Sequence, residues 1–181
     1  MDKFLVVVDM QNDFLTGALK NDEGVKVISY IKNKLDNLAA DTKVIFTRDT
    51  HQDNYLSTEE GINLPVPHCI EGSEGWKITE DLVPYTKNAN VFNKTTFGSK
   101  ELAKFFESYK GNIDSVELVG VCTDICVISN ALVIKSVLPN VKIYVDAKGC
   151  AGVTPKSHDT AIEAMKACHI HIENEGNEDW R

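Results

Sequence analysis

The feature that most constrains this chain is the run Phe4-Leu5-Val6-Val7-Val8, in which apolar residues follow one another without polar alternation. A strand with one wet face alternates. A continuous run needs cover on both faces, as in a parallel sheet between helix layers. Between Val25 and Leu38 the pattern changes: Val27, Ile28, Ile31, Leu35 and Leu38 recur at three- and four-residue spacing, with lysines and asparagines between them. That is the period of an amphipathic helix. A second strand follows at Val44 to Phe46. The sequence then predicts a strand at Val91-Phe92, a helix from Lys100 to Tyr109 and a strand from Val116 to Val119. A helix from Asp124 to Val137, a strand from Val141 to Val145, a helix beginning near Pro155 and a strand from His169 to Ile172 complete the order. Strands alternating with helices imply right-handed crossovers. The expected fold class is α/β: a three-layer doubly wound sheet, mainly parallel, with helices on both faces. With 181 residues and no linker or repeat, one core is enough, and residues 1–181 read as a single domain.

One stretch breaks the rhythm. From Asp49 to Trp76 there is no helix or strand period, and Gly61, Gly72, Gly75, Pro65 and Pro67 interrupt it. So long a loop in a compact domain is usually functional, and this one leaves the carboxyl end of a strand, where open parallel sheets bind ligands. The acidic stretch Glu173 to Asp179 reads as a solvated end. Charge narrows the partners: the net charge is −8 with scattered lysines, so phosphate backbones and anionic membranes would repel the chain. The expected partner is a small molecule, with neither nucleic acid nor membrane. No apolar run is long enough to span a bilayer, and Met1-Asp2-Lys3 leads into the first strand without the pattern of a signal peptide, so a cytoplasmic location is expected. In a reducing compartment the five cysteines are free thiols, of which Cys69, Cys150 and Cys168 read as buried packing residues.

Four strand ends carry polar residues that packing does not require. Asp9, after the first strand, suits a turn or helix cap and equally a general base at the sheet edge. Asp49 and His51 end the second strand; on extended backbone their two-residue spacing aims both side chains one way, and the loop can return His68 as a third ligand. A carboxylate with two imidazoles suits Zn²⁺ or Fe²⁺; the competing reading is ordinary surface histidines. Lys94 is either solvated or placed beside a thiol, where its charge would favour the thiolate. In Gly120-Val121-Cys122-Thr123-Asp124-Ile125-Cys126, a strand ends and Thr123 or Asp124 can cap a helix whose first turn holds Cys126. A thiol there would sense the helix N-terminus, which lowers its pKa and supplies N–H donors for an oxyanion; the alternative is a small buried hydrophobe. The C-x₃-C spacing of Cys122 and Cys126 disfavours a zinc knuckle or redox pair.

Together, Asp9 in Val-Asp-Met-Gln-Asn-Asp-Phe, His68 in Pro-His-Cys-Ile-Glu-Gly-Ser, Lys94 before Thr-Thr-Phe-Gly-Ser and Cys126 in Gly-Val-Cys-Thr-Asp-Ile-Cys make the chain resemble the isochorismatase-like cysteine hydrolases, which include nicotinamidases. The resemblance covers nearly the whole length. It implies a cis bond between Val121 and Cys122, and a reaction in which Asp9, Lys94 and Cys126 cleave a small amide through a thioester on Cys126. Backbone N–H groups of Cys122 and Cys126 would hold the oxyanion. It further implies Asp49, His51 and His68 as ligands of one divalent metal, Zn²⁺ in the first instance with Fe²⁺ or Mn²⁺ as alternatives, and a homo-oligomer. That triplet points to nicotinamide as substrate, with other amides, carbamoyl compounds or enol ethers, or a non-catalytic binding role, as alternatives. Phe14 matches the aromatic lining the ring, with Gln11 and Cys122 also on the substrate side. The chain departs from nicotinamidases at Pro65, where they commonly carry a stacking Trp, so Trp76 or Tyr55 is the expected replacement. Ser57, Glu59 and Glu60 are the loop's candidates for a further metal ligand.

Overall fold

A computed structural model describes residues 1–181. Six strands form one sheet: β1 (Asp2–Val8), β2 (Thr42–Asp49), β3 (Asn90–Lys94), β4 (Ile113–Val121), β5 (Lys142–Ala151) and β6 (His171–Glu173), in the order β3-β2-β1-β4-β5-β6. Every pairing is parallel. The six helices are α1 (Asn12–Leu15), α2 (Asp22–Asp36), α3 (Glu59–Asn63), α4 (Lys100–Ser108), α5 (Ile128–Val137) and α6 (Pro155–Ala167).

The opening apolar run is explained by the two cores it separates. Phe4, Val6 and Val8 point into one, with Leu102, Phe106, Ala131, Ile134, Ile162 and Met165 of α4, α5 and α6. Leu5 and Val7 point into the other, with Val27, Ile31 and Leu35 of α2. Alternation in direction without alternation in polarity is what two covered faces demand. The chain order reverses between β1 and β4, and the crevice beyond their carboxyl ends is the binding position of a doubly wound sheet. There Gly120 lies against Val8 with φ +121°, and a Cβ at that position would stand 2.1 Å from the Val8 carbonyl oxygen. Only glycine permits that approach.

Three expectations need correction. The loop after β2 contains a 3₁₀ turn at Tyr55–Ser57 and then α3, begun by Thr58, whose hydroxyl accepts from the Gly61 N–H at 3.0 Å. A helix of one turn is too short to display a period. The stretch from Glu173 to Asp179 is exposed as expected except at Glu178, which is buried, and Trp180 beyond it packs in the core and donates from Nε1 to the Cys150 carbonyl at 2.9 Å. Of the three packing cysteines, Cys69 and Cys150 are buried but Cys168 is exposed, because it follows α6 at its solvent end.

Candidate active site and metal centre

The ends of β3, β2 and β1 stand side by side, so their last residues converge although they are remote in sequence. Lys94 ends β3 and pairs in register with Asp49, which ends β2. Asp9 follows β1 with φ 49°, a left-handed backbone that Asp tolerates better than most residues and that turns its carboxylate into the site. The Lys94 Nζ lies 2.6 Å from Asp9 Oδ2, 3.1 Å from Asp49 Oδ1 and 3.4 Å from Cys126 Sγ. Thr47 donates its hydroxyl to the other Asp9 oxygen at 2.7 Å. All of these side chains are buried.

The turn carrying Cys126 differs from the helix start expected. Residues Thr123–Val127 form a π-turn, and α5 begins only at Ile128. Such wide turns leave backbone groups unpaired by the regular ladder and recur at functional sites. Here the Asn130 side chain takes up the slack, donating to the Cys126 carbonyl at 2.8 Å while its oxygen accepts from the Ser99 N–H at 2.9 Å. The peptide bond between Val121 and Cys122 is cis.

The charge balance also differs from the expected lowered thiol. Burial pushes the Cys126 thiol well above the ordinary range; Lys94 opposes this, but Asp9 and Asp49 add to it. That balance favours the thiol over the thiolate. Burial raises Asp9 as well, with the Lys94 ammonium pulling against it and the Asp49 charge adding to it. Lys94 stays charged because the carboxylates around it, Asp9 foremost, outweigh its own burial. One ammonium between two carboxylates leaves a proton to share, which is the state a buried acid-base group needs.

A second cluster adjoins the first through Asp49. Ligand atoms of Asp49, His51, Glu60 and His68 all lie within 4.8 Å of one another. His51 Nε2 is 2.8 Å from Asp49 Oδ2 and 3.5 Å from Glu60 Oε1, and His68 Nε2 is 3.5 and 3.6 Å from the same two oxygens. The His68 Nδ1–H donates to the Val66 carbonyl at 2.9 Å, which leaves Nε2 with a free lone pair. His51 Nε2 is buried without a hydrogen bond of acceptable geometry. Nitrogens that face carboxylates without aligning to them point at a common centre rather than at each other. The electrostatics agree. Burial opposes a charge on His51, yet Asp49 and Glu60 draw a proton onto it and raise it to about 9. Burial likewise opposes ionisation of Asp49, but the nearby His51 and His68 imidazoles and the Lys94 charge hold it far below the usual carboxylate range. The cluster demands positive charge at its centre, and two carboxylates with two imidazoles fit a divalent ion.

Cys126 and all four donors of the second cluster line one cavity of about 740 Å³, whereas Asp9 and Lys94 lie behind its lining. Asp49, His51, Glu60 and His68 line one side and Cys122 and Cys126 another, with Phe14, Leu19, Leu64, Phe97 and Ile125 as apolar wall. Phe14 and Cys122 thus reach the cavity as expected. Gln11 and Trp76 do not line it. Gln11 is wholly buried as a strut, donating to the Asp49 and Trp76 carbonyls and accepting from the Asp49 N–H. Trp76 is turned toward Arg48, whose guanidinium lies 3.5 Å from its ring centre, and donates to Thr50. Tyr55 packs edge-on against His51 and His68 behind the cluster and does not line the cavity either. Glu60 was one of three loop candidates, and α3 selects it. Leu64, beside Pro65, and Phe97 were not singled out as wall residues. Apolar residues in irregular segments carry no directional signal, although Phe97 lies within the Thr-Thr-Phe-Gly-Ser motif after Lys94.

The chain was compared with known proteins. A nicotinamidase from Saccharomyces cerevisiae is 24% identical, the match covering 94% of this chain and 98% of the relative. A nicotinamidase/pyrazinamidase from Mycobacterium tuberculosis is 27% identical, covering 93% and 96% of the two chains. Among solved structures, the zinc complex of a pyrazinamidase from Pyrococcus horikoshii superposes with a TM-score of 0.79 at 29% identity, over 95% of this chain and 98% of that one. The family model described as an isochorismatase domain matches residues 3–174, which takes in all six strands and both clusters at their ends. A match of that extent makes this chain a member of the isochorismatase family.

Proposed function

We propose that this chain is a metal-containing nicotinamidase, a cysteine amidohydrolase that converts nicotinamide to nicotinate and ammonia. The observation that carries the reading is that Cys126 and the four-donor cluster line one cavity, while Lys94, in contact with both Cys126 and Asp49, and its partner Asp9 lie directly behind that lining. Substrate would enter with its carboxamide over Cys126 and its ring between Phe14 and the wall formed by Leu64, Phe97 and Ile125. Asp9 in its ionised form, made a stronger base by burial, takes the thiol proton as Sγ attacks the amide carbon, and Lys94 stabilises the sulfur charge as it develops. The π-turn offers backbone N–H groups of Cys122 and Cys126 to the oxyanion. Collapse of the adduct breaks the C–N bond, and Asp9 returns its proton to the departing ammonia. A water then adds to the thioester carbon, gives a proton to Asp9, and the acid leaves as the thiol is re-formed. Asp49, His51, Glu60 and His68 would hold the ion, Zn²⁺ or in its place Fe²⁺ or Mn²⁺, which supplies a Lewis-acid position for the pyridine nitrogen and so orients the ring.

The aliphatic share of the wall, Leu19, Leu64 and Ile125, favours a second reading: the same chemistry on another small amide or carbamoyl compound. Ammonia release from nicotinamide by metal-loaded protein, lost in Cys126→Ala, is the expected result. No release from the loaded parent would remove nicotinamide as substrate while leaving the amidohydrolase class open. We also place the chain as a single domain that assembles as a homo-oligomer, to be checked by light scattering.

A further inference from the structure

Behind the turn that carries Cys126 lies a second polar chain that the proposed reaction does not use. Thr123 Oγ1 is 2.8 Å from His158 Nδ1, and His158 Nε2 is 3.3 Å from Glu178 Oε1. Glu178 is in turn bound by Arg181 and by the Gly176 N–H at 3.2 Å, and Arg181 also reaches Asp159. Thr123 and His158 are wholly inaccessible and Glu178 nearly so. Burial opposes the charge on Glu178, but the Arg181 guanidinium outweighs it and keeps the carboxylate ionised. Burial keeps His158 neutral despite that carboxylate. An ionised Glu178 accepts the Nε2–H, so Nδ1 is the acceptor and the Thr123 hydroxyl donates to it. The order hydroxyl, imidazole, carboxylate is that of a nucleophilic triad, yet Thr123 does not line the cavity and no substrate can reach it. Its position gives it another use: Thr123 sits directly between Cys122 and the residues leading to Cys126.

We propose that His158 and Glu178 are positioning residues that hold Thr123, and through it the Cys122 to Cys126 turn, in the geometry the reaction needs. The inference rests on the reading of that turn as the nucleophile and oxyanion site. Neighbouring contacts show how closely the two segments are fitted. The Val153 N–H donates to Asp124 at 3.0 Å, Asn21 donates to the Gly152 carbonyl at 2.8 Å, and a Cβ on Gly152 would meet the His158 backbone at 2.9 Å. Trp180 closes the arrangement, its ring edge-on to His158 at 5.0 Å. Glu178 and Trp180 belong to a segment with no other role in the site, so the relay gives the two buried residues after β6 a part in placing the turn.

The test is a double-mutant cycle on ammonia release. Thr123→Val and Glu178→Gln should each lower kcat about tenfold with KM changed less than about threefold, because misplacing reacting groups costs rate rather than binding. Combined, they should lose about tenfold again in total rather than the about hundredfold expected of independent lesions. Thr123→Ser should restore most of the rate. Variants are compared where their near-ultraviolet circular dichroism matches the parent, and His158→Gln replaces Thr123→Val in the cycle should the latter not fold. Multiplicative losses, or a Glu178→Gln variant within twofold of the parent, would overturn the relay. If the parent releases no ammonia from nicotinamide, the functional reading fails and the relay is decided by the rate at which iodoacetamide alkylates Cys126, followed by peptide mass spectrometry. That rate should fall about fivefold in the Val and Gln variants and recover in the Ser variant, as expected if thiol reactivity depends on its surroundings. Unchanged alkylation would reject the relay.

Discussion

Two buried polar networks flank the same turn, and they are built on opposite principles. On the cavity side, Asp9, Asp49 and Lys94 crowd two carboxylates around one ammonium beside a protonated thiol, so a proton is held loosely among several groups. On the far side, Thr123, His158 and Glu178 form a chain in which every donor meets one acceptor and Arg181 neutralises the end. The first network is frustrated and open to a ligand; the second is satisfied and closed. A buried group with an unsettled proton can do chemistry, whereas one whose proton is fixed can only hold position.

The largest effect expected from this contrast is on rate. Asp9→Asn or Cys126→Ala should lower ammonia release by about 10³-fold or more while leaving the fold intact, because no other group can move the proton or attack the carbon. A residual rate near that of the parent would equate the two networks and end the comparison. Stability should respond in the reverse sense at Lys94. Lys94→Met leaves Asp9 a buried acid with no cation beside it and should cost about 3–5 kcal/mol in metal-free protein, read from urea unfolding. An unchanged midpoint would show that the frustrated network carries no structural charge balance.

Metal binding tests whether the four-donor cluster shares the open character of its neighbour. Glu60→Gln should weaken zinc binding by about 10–100-fold, measured by competition with a chromophoric chelator, since even an outer partner of a metal site is worth that much. Affinity equal to the parent would leave only the three donors foreseen from sequence.

The smallest effect is a pH dependence from the closed network. Burial lowers the His158 pKa below its ordinary value of 6.5. As pH falls through 6.5 the unfolded chain takes up a proton that the folded chain refuses. Stability therefore declines from about pH 6.5 downward until the folded pKa is passed, by at most about 1.4 kcal/mol per pH unit. Urea unfolding at pH 7.5 and 5.5 reads the change, and His158→Gln should remove this share of it. An equal pH dependence in that variant would mean that His158 does not stay neutral.

Legibility followed the physical range of each signal. Asp9, Lys94, Cys126, Asp49, His51 and His68 could be found because a strand end in a parallel sheet has one place to go, and strand ends are legible from hydropathy. Glu60 stood among three equal candidates, because its choice depends on a single turn of helix, capped by Thr58, that has no period to read. Trp76 is an aromatic near the position of a missing aromatic, but Arg48 and Thr50 hold it away from the cavity. His158 and Glu178 gave no signal, since a helix histidine and an acidic stretch look like solvated surface until a tryptophan two residues on brings them inside.

Hydropathy along the chain is enough to set the α/β alternation, the central buried strand and the order in which chemically active residues arrive at the sheet edge, because hydropathy and strand termination are local properties. The tertiary structure alone decided the protonation states and the second network. Whether Cys126 rests as thiol or thiolate depends on how many carboxylates from other strands share its desolvated space. Whether the stretch after β6 is tail or strut depends on Trp180 finding the Cys150 carbonyl 30 residues away. Both are sums over groups brought together only by folding, and no window along the chain contains them.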